Sequence, residues 1–131
     1  MINNSPKLSH WLMLLLLWVV FAVAHAGFVY FLLYWYVSPL DIVMHVGGGA
    51  LLVITWYIIA RAGLFSSYLQ SPILHPLCVL MAAIVIWEIF KYAIGSVVAE
   101  DYILDTVIDV VSGLSGGVAA FLVYRSRTID R

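Results

Sequence analysis

Asp105-Thr-Val-Ile-Asp-Val-Val-Ser-Gly-Leu-Ser-Gly-Gly117 sets two carboxylates four residues apart and runs straight into a ladder of Gly and Ser. The text that follows, as far as Tyr124, is apolar, so the two acids open a segment that reads as a membrane helix. On such a helix Asp105, Asp109, Gly113 and Gly117 lie on one face. Asp105 is close enough to the start to cap free backbone N–H groups, whereas Asp109 is one turn too deep and needs a partner at its own depth.

The rest of the chain has the same character. Of 131 residues, 65% are hydrophobic and 10% charged, and the mean hydropathy is +1.08, which is too apolar for a soluble domain of this size. The reading is an all-α membrane protein, a single transmembrane domain over 1–131, with spans at about 11–37, 41–60, 76–98 and 103–124. Short turns between four spans predict a compact four-helix bundle. The first run, Trp11 to Val37, exceeds the ~20 residues that a ~30 Å hydrocarbon core requires, and tilt would absorb the excess. An alternative for this run is a cleaved secretory signal, with Ala24-His25-Ala26 as its A-x-A site; the apolar text continuing past that site favours a retained anchor.

Lys7, Arg61, Arg125, Arg127 and Arg131 all fall on one side of the predicted membrane, and the other two turns hold no Lys or Arg. The positive-inside rule then places both termini in the cytoplasm of a multi-pass protein of the inner (plasma) membrane. Trp11, Trp56, Tyr57 and Tyr124 fall near the inner edge, and Tyr34, Trp35, Tyr36 and Tyr102 near the outer. The few basic residues form no face that would suit a nucleic acid. Cys78 lies in an apolar run and reads as a small buried hydrophobe. A shift of 64 residues lays Asp41–Gly49 over Asp105–Gly113 with Asp, two Val and the last Gly in common, compatible with two parallel helical hairpin repeats.

Six ionisable residues fall at similar depth in the outer half: Asp41 and His45 in span two, Glu88 and Lys91 in span three, Asp105 and Asp109 in span four. An ionised side chain facing lipid near mid-bilayer costs ~2.5–3.5 kcal/mol even on the gentlest scale, so these groups are expected to gather on an internal face. Gly47, Gly48, Gly49, Gly113, Gly116 and Gly117 would let spans two and four approach closely below that layer. Gly95 falls on the Glu88 face of span three. The cluster is net acidic and suits a cation, or a cationic or hydroxyl-rich headgroup. His45 with Glu88, Asp105 and Asp109 could form a mixed N/O site for a divalent cation such as Zn²⁺ or Mn²⁺. Blander readings compete. Asp41, Asp101 and Asp105 can be helix caps, Glu88 and Lys91 at i, i+3 can neutralise each other, and His25 can be a hydrogen-bonded packing residue.

Asp41-x-x-x-His45 opening one span, Trp87-Glu88-x-x-Lys91 in the next and Asp105-x-x-x-Asp109-x-x-x-Gly113-x-x-x-Gly117 in the last resemble the VanZ-like small membrane proteins. They also resemble the related YjdF-type proteins through Asp105-Thr106-x-x-Asp109. The resemblance covers spans two to four; VanZ-like chains usually have Lys, Gln and Asn where Ile42, Lys91 and Asp109 stand here. It implies a four-helix fold and an outward-facing polar layer serving the cell envelope. Three function classes follow: a headgroup- or cation-binding bundle, which could be a homo-oligomer; an intramembrane metal-dependent hydrolase; and a proton- or cation-coupled small transporter or membrane assembly subunit.

Overall fold

The computed structural model describes residues 6–37, 39–63, 74–93 and 102–129. The connection around Ser66–Pro72, Gly95, the turn at Glu100-Asp101 and Arg131 lie outside the described residues. The chain is helical: α1 (Leu8–Tyr30), α2 (Leu33–Tyr36), α3 (Pro39–Arg61), α4 (Leu74–Ala93) and α5 (Tyr102–Ile129). α1, α3, α4 and α5 are each long and apolar enough to cross a membrane. Helix is the expected form in hydrocarbon, because it satisfies every backbone N–H and C=O within the segment.

The bounds carry their own chemistry. Pro39 opens α3 at the one place where a missing N–H leaves nothing unsatisfied. Beyond Arg61 the chain turns off at Gly63, whose φ of 74° is left-handed and favours glycine. The first apolar run differs from the single span expected over 11–37. It breaks at Leu32, which adopts φ 55° and ψ 28°, and the chain restarts as α2. Leu in this conformation costs on the order of 1 kcal/mol. The break swings Tyr34 back onto α1, where its hydroxyl meets His25 Nδ1 at 2.7 Å and its ring stands edge-on to Phe28. With neither Gly nor Pro at the break, the sequence has no punctuation there to read.

α3 and α5 form the central pair. They run side by side in the same direction with Gly49 on Gly113, Gly116 on Val46 and Gly117 beside Val53. Further along, Tyr57 stacks on Tyr124 with ring centroids 3.9 Å apart, and the Arg61 guanidinium lies over the Tyr124 ring. α4 runs antiparallel across this pair and drives Leu80 and Ile84 into a core shared with Val53. α1 leans on α3: Phe21 covers Gly47 and Gly48, and Trp18 donates to Thr55 Oγ1 at 3.0 Å. Its contact with α4 is an edge-to-face approach of His25 and Trp87. The four long helices pack together, with α3, α4 and α5 sharing the core and α1 laid against α3. The aliphatic side chains that α1 leaves outward suit hydrocarbon.

Two packing expectations need correction. Gly47 and Gly48 face Phe21 of α1 and take no part in the α3–α5 seam. Cys78 is exposed on α4, on the lipid-facing side, because the buried stripe of that helix falls on Pro76, Leu80, Ile84 and Glu88. Trp56 is turned into the protein and buried.

The seam explains which glycines are indispensable. A Cβ at Gly49 would overlap the Gly113 carbonyl, and one at Gly116 would overlap that of Val46, so backbone would have to move in both cases. At Gly47 the nearest obstacle is the Phe21 ring at 3.6 Å, an ordinary contact. Gly49→Ala and Gly116→Ala should each lower stability by about 1–3 kcal/mol, read by thermal or denaturant unfolding in micelles, while Gly47→Ala stays near wild type. Equal tolerance at all three positions would contradict this seam.

Candidate functional site

The six ionisable residues meet at one end of the α3–α4–α5 core. Two helical spacings prepare the meeting: Asp41 and His45 share a face of α3, as do Asp105 and Asp109 on α5, and α4 brings Glu88 and Lys91 across from the opposite direction. Lys91 is the hub. Its Nζ donates to Asp109 Oδ2 at 2.5 Å, lies 2.8 Å from Glu88 Oε1 and is 3.8 Å from Asp105 Oδ2. From the other side His45 Nε2 approaches the same Asp109 Oδ2 at 3.2 Å, and it lies 3.6 Å from Asp41 Oδ1.

Burial grades the cluster from wet to dry. The side chains of Asp41 and Asp105 are 38% and 42% exposed, Lys91 and His45 much less, and Asp109 only 1%. Asp41 and Asp105 stand in the first turns of their helices, where a carboxylate also favours the helix dipole. No cap explains Asp109 or Glu88; Glu88 pairs with Lys91, and Asp109 with both Lys91 and His45. Asp109 Oδ1 is buried and accepts no hydrogen bond among the described residues.

Thr106 was not singled out as a site residue in the sequence. Its hydroxyl donates to Glu88 Oε2 at 3.0 Å and orients the carboxylate whose other oxygen faces Lys91. It stands three residues before Asp109 within the Asp-Thr-x-x-Asp pattern, and that position was the available signal. His25 stays apart from the cluster, held by Tyr34 and Trp87.

Among the described residues, two grooves flank the core. One of about 350 Å³, between α1 and α3, is lined by apolar residues including Phe21, Ala24 and Leu51. The other, about 340 Å³, lies between α4 and α5, with Ile84, Ile89 and Val110 on its apolar walls, Tyr92 and Tyr102 at one end, and Glu88 and Thr106 as its polar groups. Glu88 belongs both to this groove and to the ion-paired cluster.

Among the described residues, the donor atoms that could share a metal ion are those of Asp41, His45 and Asp109, all within 4.8 Å of one another. The set expected from the sequence was His45, Glu88, Asp105 and Asp109. Glu88 and Asp105 face the Lys91 ammonium instead, and Asp41 enters because it sits one turn before His45 on the same helix. No family model, curated protein or solved structure matches the chain.

Lys91 holds together carboxylates that would otherwise repel one another in a poorly solvated place. Lys91→Met should therefore destabilise the fold by about 3–5 kcal/mol, the range for removing one member of a buried ion pair. Adding Glu88→Gln to Lys91→Met should recover part of the loss. Unfolding of the single and double variants in detergent measures both, and a silent Lys91→Met would remove Lys91 from its place as hub.

Proposed function

We propose that this chain is a multi-pass protein of the inner (plasma) membrane, with both termini cytoplasmic, whose outward-facing cluster binds the headgroup of an envelope lipid. The observation that carries the proposal is the double membership of Glu88: its carboxylate lies both in the ion-paired cluster and in the wall of a lipid-facing groove. A lipid chain entering between α4 and α5 would bring its headgroup to Glu88 and Thr106. Four carboxylates against one lysine and one histidine select an ammonium or hydroxyl-bearing headgroup over an anionic one.

Several features support this topology and role. Lys7, Arg61 and Arg125 lie at the end of the molecule opposite the acidic cluster, as the positive-inside rule requires of a cluster that faces outward. The α3–α5 contacts of Gly49 with Gly113 and of His45 with Asp109 both join residues 64 apart. On the same offset α1 falls over α4 and α3 over α5, which supports a pair of parallel hairpin repeats. The second hairpin carries Glu88 and Lys91 where the first has Ala24 and Gly27, so the duplicated frame is functional on one side. The resemblance to VanZ-like proteins, carried by Asp41, Trp87-Glu88 and Asp105-x-x-x-Asp109, agrees with a task in the envelope.

A conducting path is a poorer fit. Beneath the cluster the core closes over Val53, Leu80 and Ile84, and Thr55 is committed to Leu51 O and Trp18.

Native mass spectrometry of the full chain, offered equal amounts of phosphatidylethanolamine and phosphatidylglycerol in micelles, tests the reading. The ethanolamine lipid should be retained preferentially, and Glu88→Gln or Val110→Trp, which fills the groove, should abolish the preference. Equal retention of both lipids, or a preference unmoved by both substitutions, would overturn it.

A further inference from the structure

We propose that Asp41, His45 and Asp109 form a site for one divalent transition-metal ion, Zn²⁺ or Mn²⁺, distinct from the headgroup groove on the far side of Lys91. Three donors from two parallel helices converge there, and they include a histidine, the side chain that separates a transition-metal site from a cluster suited to Ca²⁺ or Mg²⁺.

The spacing fits. His45 Nε2 stands 3.2 Å from Asp109 Oδ2 and 3.6 Å from Asp41 Oδ1. Two ligands at ~2.1 Å from a tetrahedral ion lie roughly 3.4 Å apart. Asp41 is the most exposed of the three and gives the ion its way in, while Asp109 closes the site from within.

A second observation points to a ligand independently of the carboxylate cluster. Asp109 is 1% exposed, and its Oδ1 accepts no hydrogen bond although Oδ2 is contacted by both Lys91 and His45. An unsatisfied buried carboxylate oxygen carries a desolvation cost of on the order of 1–3 kcal/mol or more. An ion taken by both oxygens of the Asp109 carboxylate removes that cost and competes with Lys91 for Oδ2. Charge agrees as well: Lys91 offsets Glu88, and the two carboxylates of the triad with a neutral His45 match a dication. With three protein ligands, a fourth position stays open to water, the arrangement of zinc centres that act on a substrate.

Lys91 competes with the metal for Asp109, which supplies a signature that loss of folding cannot imitate. Full-length protein with a tag free of histidine is stripped with chelator in phospholipid-free detergent and titrated with Zn²⁺ or Mn²⁺; metal retained after gel filtration is counted. One equivalent per chain should be retained by wild type and by His10→Gln. His45→Gln and Asp41→Asn should bind about tenfold more weakly or worse. Lys91→Gln should bind more tightly than wild type, and metal should restore part of the stability that this variant loses. No retained metal, retention undiminished in His45→Gln and Asp41→Asn, or affinity unchanged or weakened in Lys91→Gln would overturn the site. Because no phospholipid is present, the outcome is independent of headgroup binding.

Discussion

The ammonium of Lys91, held between Glu88 on its own helix and Asp109 on α5, is the interaction on which the rest of the arrangement depends. Charges in a membrane core are tolerated only when they are gathered and paired. Lys91 does the pairing for two carboxylates at once and reaches a third, Asp105. Its hold on Asp109 has a structural precondition. Asp109 can also be met by His45 only if α3 and α5 lie nearly backbone to backbone, and Gly49, Gly113 and Gly116 provide that closeness one turn further into the membrane. The glycine seam and the polar layer are two parts of one device.

The molecule is polarised along its length. At one end, basic and aromatic groups gather, with Arg61 over Tyr124 and Tyr124 stacked on Tyr57; at the other lie the four acids. Between them sits the apolar core of Val53, Leu80 and Ile84. The cluster is most exposed at Asp41 and Asp105, and Glu88 joins it to the groove between α4 and α5.

Much of this was legible in the sequence, for reasons that differ from feature to feature. The helices could be read because hydrocarbon leaves the backbone no other form. The six ionisable residues could be read because lipid penalises each of them alone, and their depths followed from helical rise. What could not be read was anything depending on the direction in which an apolar side chain faces. In a soluble protein, burial and hydropathy coincide. Here Cys78 and Val53 are equally apolar in the text, yet one faces outward and the other the core. The break at Leu32 carries no Gly or Pro marker, and the contact that accompanies it, Tyr34 on His25, joins residues nine apart. Gly47 to Gly49 looked like one packing motif, but successive residues on a helix point 100° apart, so the run divides between α1 and α5. Glu88 and Lys91 at i, i+3 suggested a self-contained pair, and only the fold brings Asp109 and Thr106 to complete it.

The most direct measurement of the central claim is the dipolar coupling between the side-chain nitrogen of Lys91 and the carboxylate carbon of Asp109, recorded by solid-state NMR on the selectively labelled chain in lipid bilayers. Strong recoupling, of the size expected for a direct ion pair and lost in Asp109→Asn, is the predicted result. No recoupling in the folded wild-type protein would contradict the account, because Asp109 would then be buried without the charge that holds it there.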